Sequence, residues 1–248
     1  MTSSPATLRK PDYGVDAPAA MRNLFLAGAL CLLAAFFVPW PIPIGKVLLS
    51  LRIPLFWTGG SLLGEALLFL LYVKVGKRRH RDFMLSMHTW RGDEQVLDVG
   101  CGRGLLLIGA AKHLTSGHAA GIDIWSNVDM GANSTEATTR NLTLEGVADR
   151  CTLVSLAAQS MTFPDAAFDV IVSNLCLHNL YQRPQRTAAL QQIARVLAPG
   201  GIAILSDYKR TREYAQVLSA AGLVVTRKPG NLLLTFPPLA IVIARKPV

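Results

Sequence analysis

Val96 to Gly104 reads VLDVGCGRG, a short apolar run followed by three glycines in five positions. The next ten residues, LLLIGAAKHL from Leu105 to Leu114, are small and apolar with helical periodicity. A strand, a glycine turn and a helix in that order mark the first βα unit of an open α/β sheet, and the turn is where such sheets bind ligands. Glycine is required where backbone takes positive φ or approaches a ligand with no Cβ between them. A dinucleotide fingerprint would space its glycines G-x-G-x-x-G, whereas here they run G-x-G-x-G. Asp98 stands two residues before the first of them. An acid in the loop repels phosphate and suits a cationic amino-acid moiety. Nineteen residues after Gly104 comes GIDIW, in which Asp123 closes a second apolar run, placed to accept hydrogen bonds from both hydroxyls of a ribose. An acidic loop and a ribose acid without a phosphate-binding lysine point to S-adenosylmethionine, and the glycine spacing argues against a nicotinamide-dependent oxidoreductase.

Working outward, apolar runs recur at Gln95–Val99, Ala119–Ile124, Thr152–Leu156, Phe168–Ser173, Ile202–Ser206, Leu223–Thr226 and Leu239–Ala244. Helical patterns fill the gaps at Leu105–Leu114, Thr135–Glu145, Gln185–Leu197 and Thr211–Ala221. Strands alternating with helices predict a doubly wound, mostly parallel, seven-stranded α/β sheet over residues 93–248.

The stretches VLDVGCGRG, GIDIW, MTFPDAAFDVIVSN (Met161–Asn174) and VLAPGGIAILSD (Val196–Asp207) together resemble the class I S-adenosylmethionine-dependent methyltransferases, especially the small type 11 or UbiE-like members. The resemblance covers Gly92 to Asp207. It implies a Rossmann-like sheet, methyl transfer and S-adenosylmethionine as cofactor. By position it also implies that Asp98, Gly100, Cys101, Gly102 and Gly104 form the loop on the methionine side, that Asp123 and Ile124 hold the ribose, and that Ala158 reaches the adenine through its backbone. Trp125 is a candidate to cover the adenine, or else a packed aromatic. Many relatives carry an acid six positions before the phenylalanine of FPD; this chain has Ala157 there, and Gln159 is the candidate to replace the missing acceptor.

The acceptor side is expected at the ends of the fourth and fifth strands, from Asn174, His178, Tyr181, Asp207 and Tyr208, with Asn174 also near the cofactor. Cys176 reads as a small buried hydrophobe. An Asn/Asp-Pro-Pro-aromatic run, the companion of exocyclic amine methylation on nucleic-acid bases, is replaced by NLCLHN (Asn174–Asn179), so a nucleic-acid substrate is not expected. Without an evident base, a soft nucleophile such as a thiol fits best, because thiolate is partly present near neutral pH; a quinone-type or lipid phenol is the rival acceptor. A non-catalytic S-adenosylmethionine-binding membrane adaptor is the alternative of another class.

The rest of the chain explains the composition. Of 248 residues 51% are hydrophobic, the net charge is +9, and four cysteines show neither CxxC pairing nor metal-ligand spacing, so no metal site is expected. Residues 23–75 hold two apolar runs, Asn23–Gly45 and Ile53–Val73, the second interrupted only by Glu65. Each is long enough to cross roughly 30 Å of hydrocarbon as a helix. A second run following the first disfavours a cleaved signal peptide. Arg9, Lys10 and Arg22 flank one end and Lys74, Lys77, Arg78, Arg79 and Arg81 the other, against Lys46 and Arg52 at the connection. The positive-inside bias then predicts a transmembrane hairpin in the cell's inner membrane with its catalytic domain facing the cytoplasm. Trp40 and Trp57 fall at span ends, and Pro39, Pro41 and Pro43 break the end of the first helix, which leaves a half-inserted or re-entrant segment as the alternative to two full spans. Residues 76–92 read as a basic linker against anionic headgroups. Residues 1–22 read as a polar arm, either a lid on the active site with Tyr13 and Asp16 as its candidate contacts or a disordered tail. The expected partners are therefore a small-molecule substrate and a lipid bilayer; the sequence does not fix an oligomeric state.

Overall fold

A computed structural model describes residues 10–38, 41–45, 47–126, 131–230 and 235–248. Arg9, Pro39, Trp40 and Lys46 lie outside the described residues. Two 20-residue helices come first, α1 (Pro18–Phe37) and α2 (Arg52–Leu71), joined through a small antiparallel ribbon of β1 (Ile42–Ile44) and β2 (Val47–Leu49). The helices pack antiparallel through glycine. A Cβ on Gly59 would stand 2.9 Å from Gly28 O and 2.7 Å from Leu32 Cγ, so the two backbones approach as closely as only glycine permits. Their other faces are open: Phe25, Leu30, Phe36, Phe37, Phe56 and Trp57 are all more than half exposed.

A π-helical stretch, Tyr72–Gly76, continues α2 into α3 (Lys77–Leu85). Here the sequence expectation needs correction, because the basic segment is not a loose linker. Met84 and Leu85 join the apolar cluster of the main domain, and Leu85 and Arg81 crowd Gly109 on the helix that follows the glycine loop. His80, on the same face, is 1% exposed and bonds Ser206 Oγ at 2.8 Å; burial lowers its pKa to about 4, so it docks as a neutral ring. Residues at i, i+3, i+7 and i+8 share one face of a helix, which turns Lys77, His80, Met84 and Leu85 inward. Lys74, Arg78 and Arg79 remain exposed on the other side.

The main domain is the expected α/β sheet. Its elements are β3 (Gln95–Val99), α4 (Leu105–Ala111), β4 (His118–Asp123), α5 (Thr135–Leu144), β5 (Cys151–Ser155), β6 (Phe168–Asn174), α6 (Arg183–Val196), β7 (Leu197–Asp207), α7 (Thr211–Ala220), β8 (Val224–Pro229) and β9 (Ala240–Arg245). The strand order is β5-β4-β3-β6-β7-β9-β8, parallel except for β9, which runs antiparallel to both neighbours. Central strands buried on both faces read as continuous apolar runs, not alternating ones; Val96, Leu97 and Val99 of β3 and Val170, Ile171 and Val172 of β6 are all fully buried. The chain leaves β3 toward β4 on one side and returns to β6 on the other, so a crevice opens at the carboxyl ends of β3 and β6.

Glu94, just before β3, is fully buried and ties the entry turn. Its carboxylate accepts from Arg91 N at 2.6 Å, Gly92 N at 2.9 Å and His88 Nε2 at 3.2 Å. Burial opposes ionisation, but these donors outweigh it and hold the Glu94 pKa down to about 2 from the ordinary 4.5. A depressed carboxyl stabilises the fold fully above its unfolded pKa and loses that contribution as pH falls toward the folded value. Glu94→Gln is therefore expected to lower stability at pH 7 by about 2 kcal/mol and to flatten the decline between roughly pH 4.5 and 2, measured by thermal unfolding across pH.

Candidate active site

The glycine loop is built by hydrogen bonds to its neighbours. Gly100 N and Cys101 N both donate to Ile122 O, at 2.8 and 3.0 Å, and Gly102 N donates to Asp123 Oδ2 at 2.8 Å. Thr138 Oγ1 donates to Gly102 O at 2.7 Å and Asn141 Nδ2 to Arg103 O at 2.9 Å, so α5 clamps the loop from outside. Gly100, at φ 74°, is irreplaceable on two counts: a side chain there is strained, and its Cβ would collide with Cys176 Sγ. That contact closes the crevice between the ends of β3 and β6. Cys176 packs against the loop but is only half-buried and lines the cavity, in place of the fully buried hydrophobe the sequence suggested.

Asp98 sits deeper than the sequence suggested. It is 1% exposed, accepts from Leu107 N at 2.8 Å in the first turn of α4, and is not on the cavity wall; burial raises its pKa to about 8. It anchors the loop from beneath instead of facing the ligand. Cys101, buried with its thiol pushed well above its usual range, and Gly104, which caps α4, likewise lie behind the loop.

In front of the loop lies a cavity of about 630 Å³, walled by Gly100, Gly102, Asp123, Ile124, Ala158, Gln159, Asn174, His178 and Tyr208 among the expected residues. Asp123 accepts from Gly102 N, from Trp125 N at 2.6 Å and from Asn133 Nδ2 at 3.2 Å. Those three donors fill most of a carboxylate's roughly four acceptor directions, leaving room for one ribose hydroxyl instead of two. Asn133, which the sequence reading missed, has a buried Oδ1 without a protein partner and lines the same wall, in place to take the second. No short motif marks it, since it lies in the irregular loop before α5. Gln159 Oε1 and Asn174 Oδ1 are also buried without partners on this wall. Buried acceptors are rarely left unpaired, and three on one wall fit a ligand rich in hydroxyl and amine donors. The wall carries Asp16, Glu65 and Asp123 but no lysine or arginine among the described residues. That balance suits a sulfonium and an ammonium and rejects pyrophosphate.

The remaining expectations divide. Trp125 does not line the cavity; its Nε1 donates to Ser155 Oγ at 2.7 Å and its ring packs on the core, so the exposed Ile124 takes the place beside the ligand. Tyr13 is also corrected: it is 5% exposed, its hydroxyl donates to Glu145 Oε1 at 2.6 Å, and burial with that contact pushes its phenol far above the usual range. Its ring packs in the cluster that holds Met84, Leu85 and Leu142, and Asp16, three residues on, reaches the cavity instead. Tyr181 is exposed and away from the wall.

Asp207 is 1% exposed and acts through its neighbours. It accepts from His178 Nδ1 at 2.9 Å, Tyr208 N at 2.8 Å and Tyr214 OH at 3.0 Å. A carboxylate there fixes the tautomer with the proton on Nδ1, leaving the lone pair of His178 Nε2 as the free one on a ring that lines the cavity. Tyr208 packs edge-on against that ring at 4.8 Å. Behind them, buried Arg186 donates to Leu180 O and Tyr181 O and pairs with Glu213, holding the loop after β6 in place.

The family model described as a methyltransferase domain matches residues 97–205, the span that contains the loop, Asp123 and the end of β7. The chain carries a class I S-adenosylmethionine-dependent methyltransferase domain. Its cofactor is S-adenosylmethionine. The chain is 32% identical over 117 residues to a probable methyltransferase, ltbC, of Aspergillus luteorubrus, covering 46% of this chain and 40% of that protein. It is 32% identical over 131 residues to the demethylmenaquinone methyltransferase of Lactiplantibacillus plantarum, covering 52% and 51%. The chain thus spans about half or less of the length of these relatives. The crystal structure of the [4+2]-cyclase SpnF shares the fold over 95% of this chain and 99% of its own, at 18% identity and a TM-score of 0.57.

Replacing Asp123 by Ala is expected to remove the ribose contact and free the loop amides, weakening S-adenosylhomocysteine binding by roughly ten- to a hundredfold in calorimetric titration. Asp98→Ala, in contrast, leaves Leu107 N–H unpaired and is expected to cost about 1–3 kcal/mol of stability, with Asp98→Asn costing less than half of that, both read by thermal unfolding.

Proposed function

We propose that this protein is a membrane-anchored methyltransferase that transfers a methyl group to a hydroxyl of a small lipophilic, phenol-type acceptor, with His178 as general base. The observation that carries the reading is His178 on the cavity wall, paired with Asp207 buried behind it. The glycine loop, Asp123, Asn133 and Gln159 would hold S-adenosylmethionine, which would supply the activated methyl group and leave as S-adenosylhomocysteine. His178 Nε2 takes the proton of the acceptor hydroxyl, and Asp207 holds Nδ1–H in place and stabilises the imidazolium that forms. A thiol needs no such base near neutral pH, so the pair shifts the preference from thiol, the acceptor the sequence favoured, to hydroxyl. The demethylmenaquinone methyltransferase among the relatives supports a lipophilic aromatic acceptor.

Anchoring is supported by the hairpin. Two 20-residue helices, each about 30 Å long at 1.5 Å per residue, carry an apolar surface that is mostly open, unlike the core helices of a globular domain. Arg22, Lys74, Arg78 and Arg79 gather at the end of the hairpin nearest the domain, which favours a cytoplasmic catalytic face in the inner membrane.

His178→Ala is expected to lower kcat on phenolic acceptors by roughly 10²- to 10⁴-fold while S-adenosylhomocysteine affinity stays within a factor of about two. Turnover of thiols at an unchanged rate by that variant, with phenols untouched by the wild type, would overturn the acceptor assignment. A reporter fused after Val248 is expected on the cytoplasmic side.

A further inference from the structure

The cavity has a second wall that belongs to the hairpin. Ala17 just before α1, Ala20 and Leu24 within it, and Glu65, Phe69 and Tyr72 from the α2 end line the same space as the cofactor loop and His178. Most of those positions are apolar, as a lipophilic ligand requires, but two are not. Glu65 is the one acid within the apolar stretch of α2, and its carboxylate has neither a cationic nor a hydrogen-bonding partner among the described residues. Asp16, the other acid on this wall, differs in being paired with Lys77 at 3.7 Å. Tyr72, 3% exposed, carries a buried hydroxyl that faces Asn174 without closing a full hydrogen bond to it. Buried polar groups without partners are costly, and a carboxylate in an apolar helix normally faces a cavity that supplies its partner. Neither group is used by the chemistry at His178.

We propose that Glu65, assisted by Tyr72, is an acceptor-specificity site: it binds a second hydrogen-bond donor on the acceptor, remote from the hydroxyl that is methylated. The preferred substrates are then lipophilic aromatics with two hydroxyls, one at His178 and the other accepted by the Glu65 carboxylate. Compounds with a single hydroxyl leave that carboxylate unpaired and bind less well, because a site built to pair a donor discriminates strongly against the analogue that lacks it. Tyr72 OH completes the contact by donating to the oxygen that Glu65 receives.

This inference rests on the hydroxyl-methylation reading for its kinetic half but not for its binding half. The full chain in lipid nanodiscs, loaded with S-adenosylhomocysteine, is titrated with 5-pentylresorcinol and with its monomethyl ether; turnover of both is then followed with S-adenosylmethionine. The wild type is expected to bind the diol roughly tenfold more tightly than the ether, the worth of one hydrogen bond to a charged group. Glu65→Leu, a change that an apolar helix tolerates, is expected to erase the difference by weakening the diol alone, and Glu65→Gln to retain part of it. S-adenosylhomocysteine affinity should be the same in all three proteins. A fall in that affinity would instead place Glu65 on the cofactor, and equal changes for both probes, or none, would also overturn the assignment. Glu65-dependent binding of the diol with no methylation of either probe sinks the hydroxyl reading and leaves this site standing; methylation of both with equal affinity does the reverse.

Discussion

A buried ammonium must find partners for its three N–H donors, and the arrangement of the whole molecule follows from where Lys77 finds them. The side chain is 5% exposed, donates to Tyr13 O at 2.9 Å and to Gly14 O at 2.5 Å, and pairs with Asp16. Burial lowers its pKa while Asp16 acts against that. Because Lys77 begins α3, these bonds wrap the N-terminal arm around the joint between the hairpin and the domain. Asp12 adds a bond from its N–H to Asn141 Oδ1 and an ion pair with Arg103. The arm is held against the same α5 residue that clamps the glycine loop, so the start of α1 and the cofactor loop share a support. One wall of the cavity is thereby fixed relative to the other, though they come from opposite ends of a long stretch of chain.

The composite cavity also explains how so bare a catalytic domain excludes water. Among the described residues the sheet carries no inserted cap between its strands and helices, and closure comes from the hairpin, whose Phe69 and Tyr72 pack with Phe236 and with Leu175 just beyond β6. Aromatic side chains bring large apolar area to such a seam, and a dry site strengthens the hydrogen bonds made within it.

Most of the sheet was legible in the sequence because its central strands are buried on both faces and read as unbroken apolar runs; all seven predicted runs overlap strands, the more exposed edge strands β5 and β8 included. VLDVGCGRG placed the loop, since glycine spacing reports backbone geometry directly. What the sequence did not reveal depends on contacts between distant segments. The depth of Asp98 follows from α4 closing over it, and the role of Asp207 follows from three donors brought together by β6, β7 and α7. The inward turn of Lys77 and His80 was hidden by their charge: a run of basic residues reads as solvated, and only the helical face shared with Met84 and Leu85 shows otherwise. Tyr13 was misassigned for the matching reason, its polar tip reading as a ligand contact where its ring is core. Asn133 lay in a loop with no periodicity to reveal it.

The π-helical stretch between Tyr72 and Gly76 has an effect on angular phase. Each residue of an α-helix advances about 100° around the axis, and a π-bulge accommodates an extra residue without breaking the rod. Up to its first residue, Glu65, Phe69 and Tyr72 line the cavity; downstream, Lys77, His80 and Met84 are buried against the domain and the N-terminal arm. One continuous 34-residue helix thus presents two differently directed faces. Removing a single residue from this stretch, so that regular winding resumed, would swing everything before it by about 100° relative to the domain. The hairpin would keep its own packing at Gly28 and Gly59, yet Glu65 and Tyr72 would look away from the cofactor, leaving two sound halves of a site that no longer face each other.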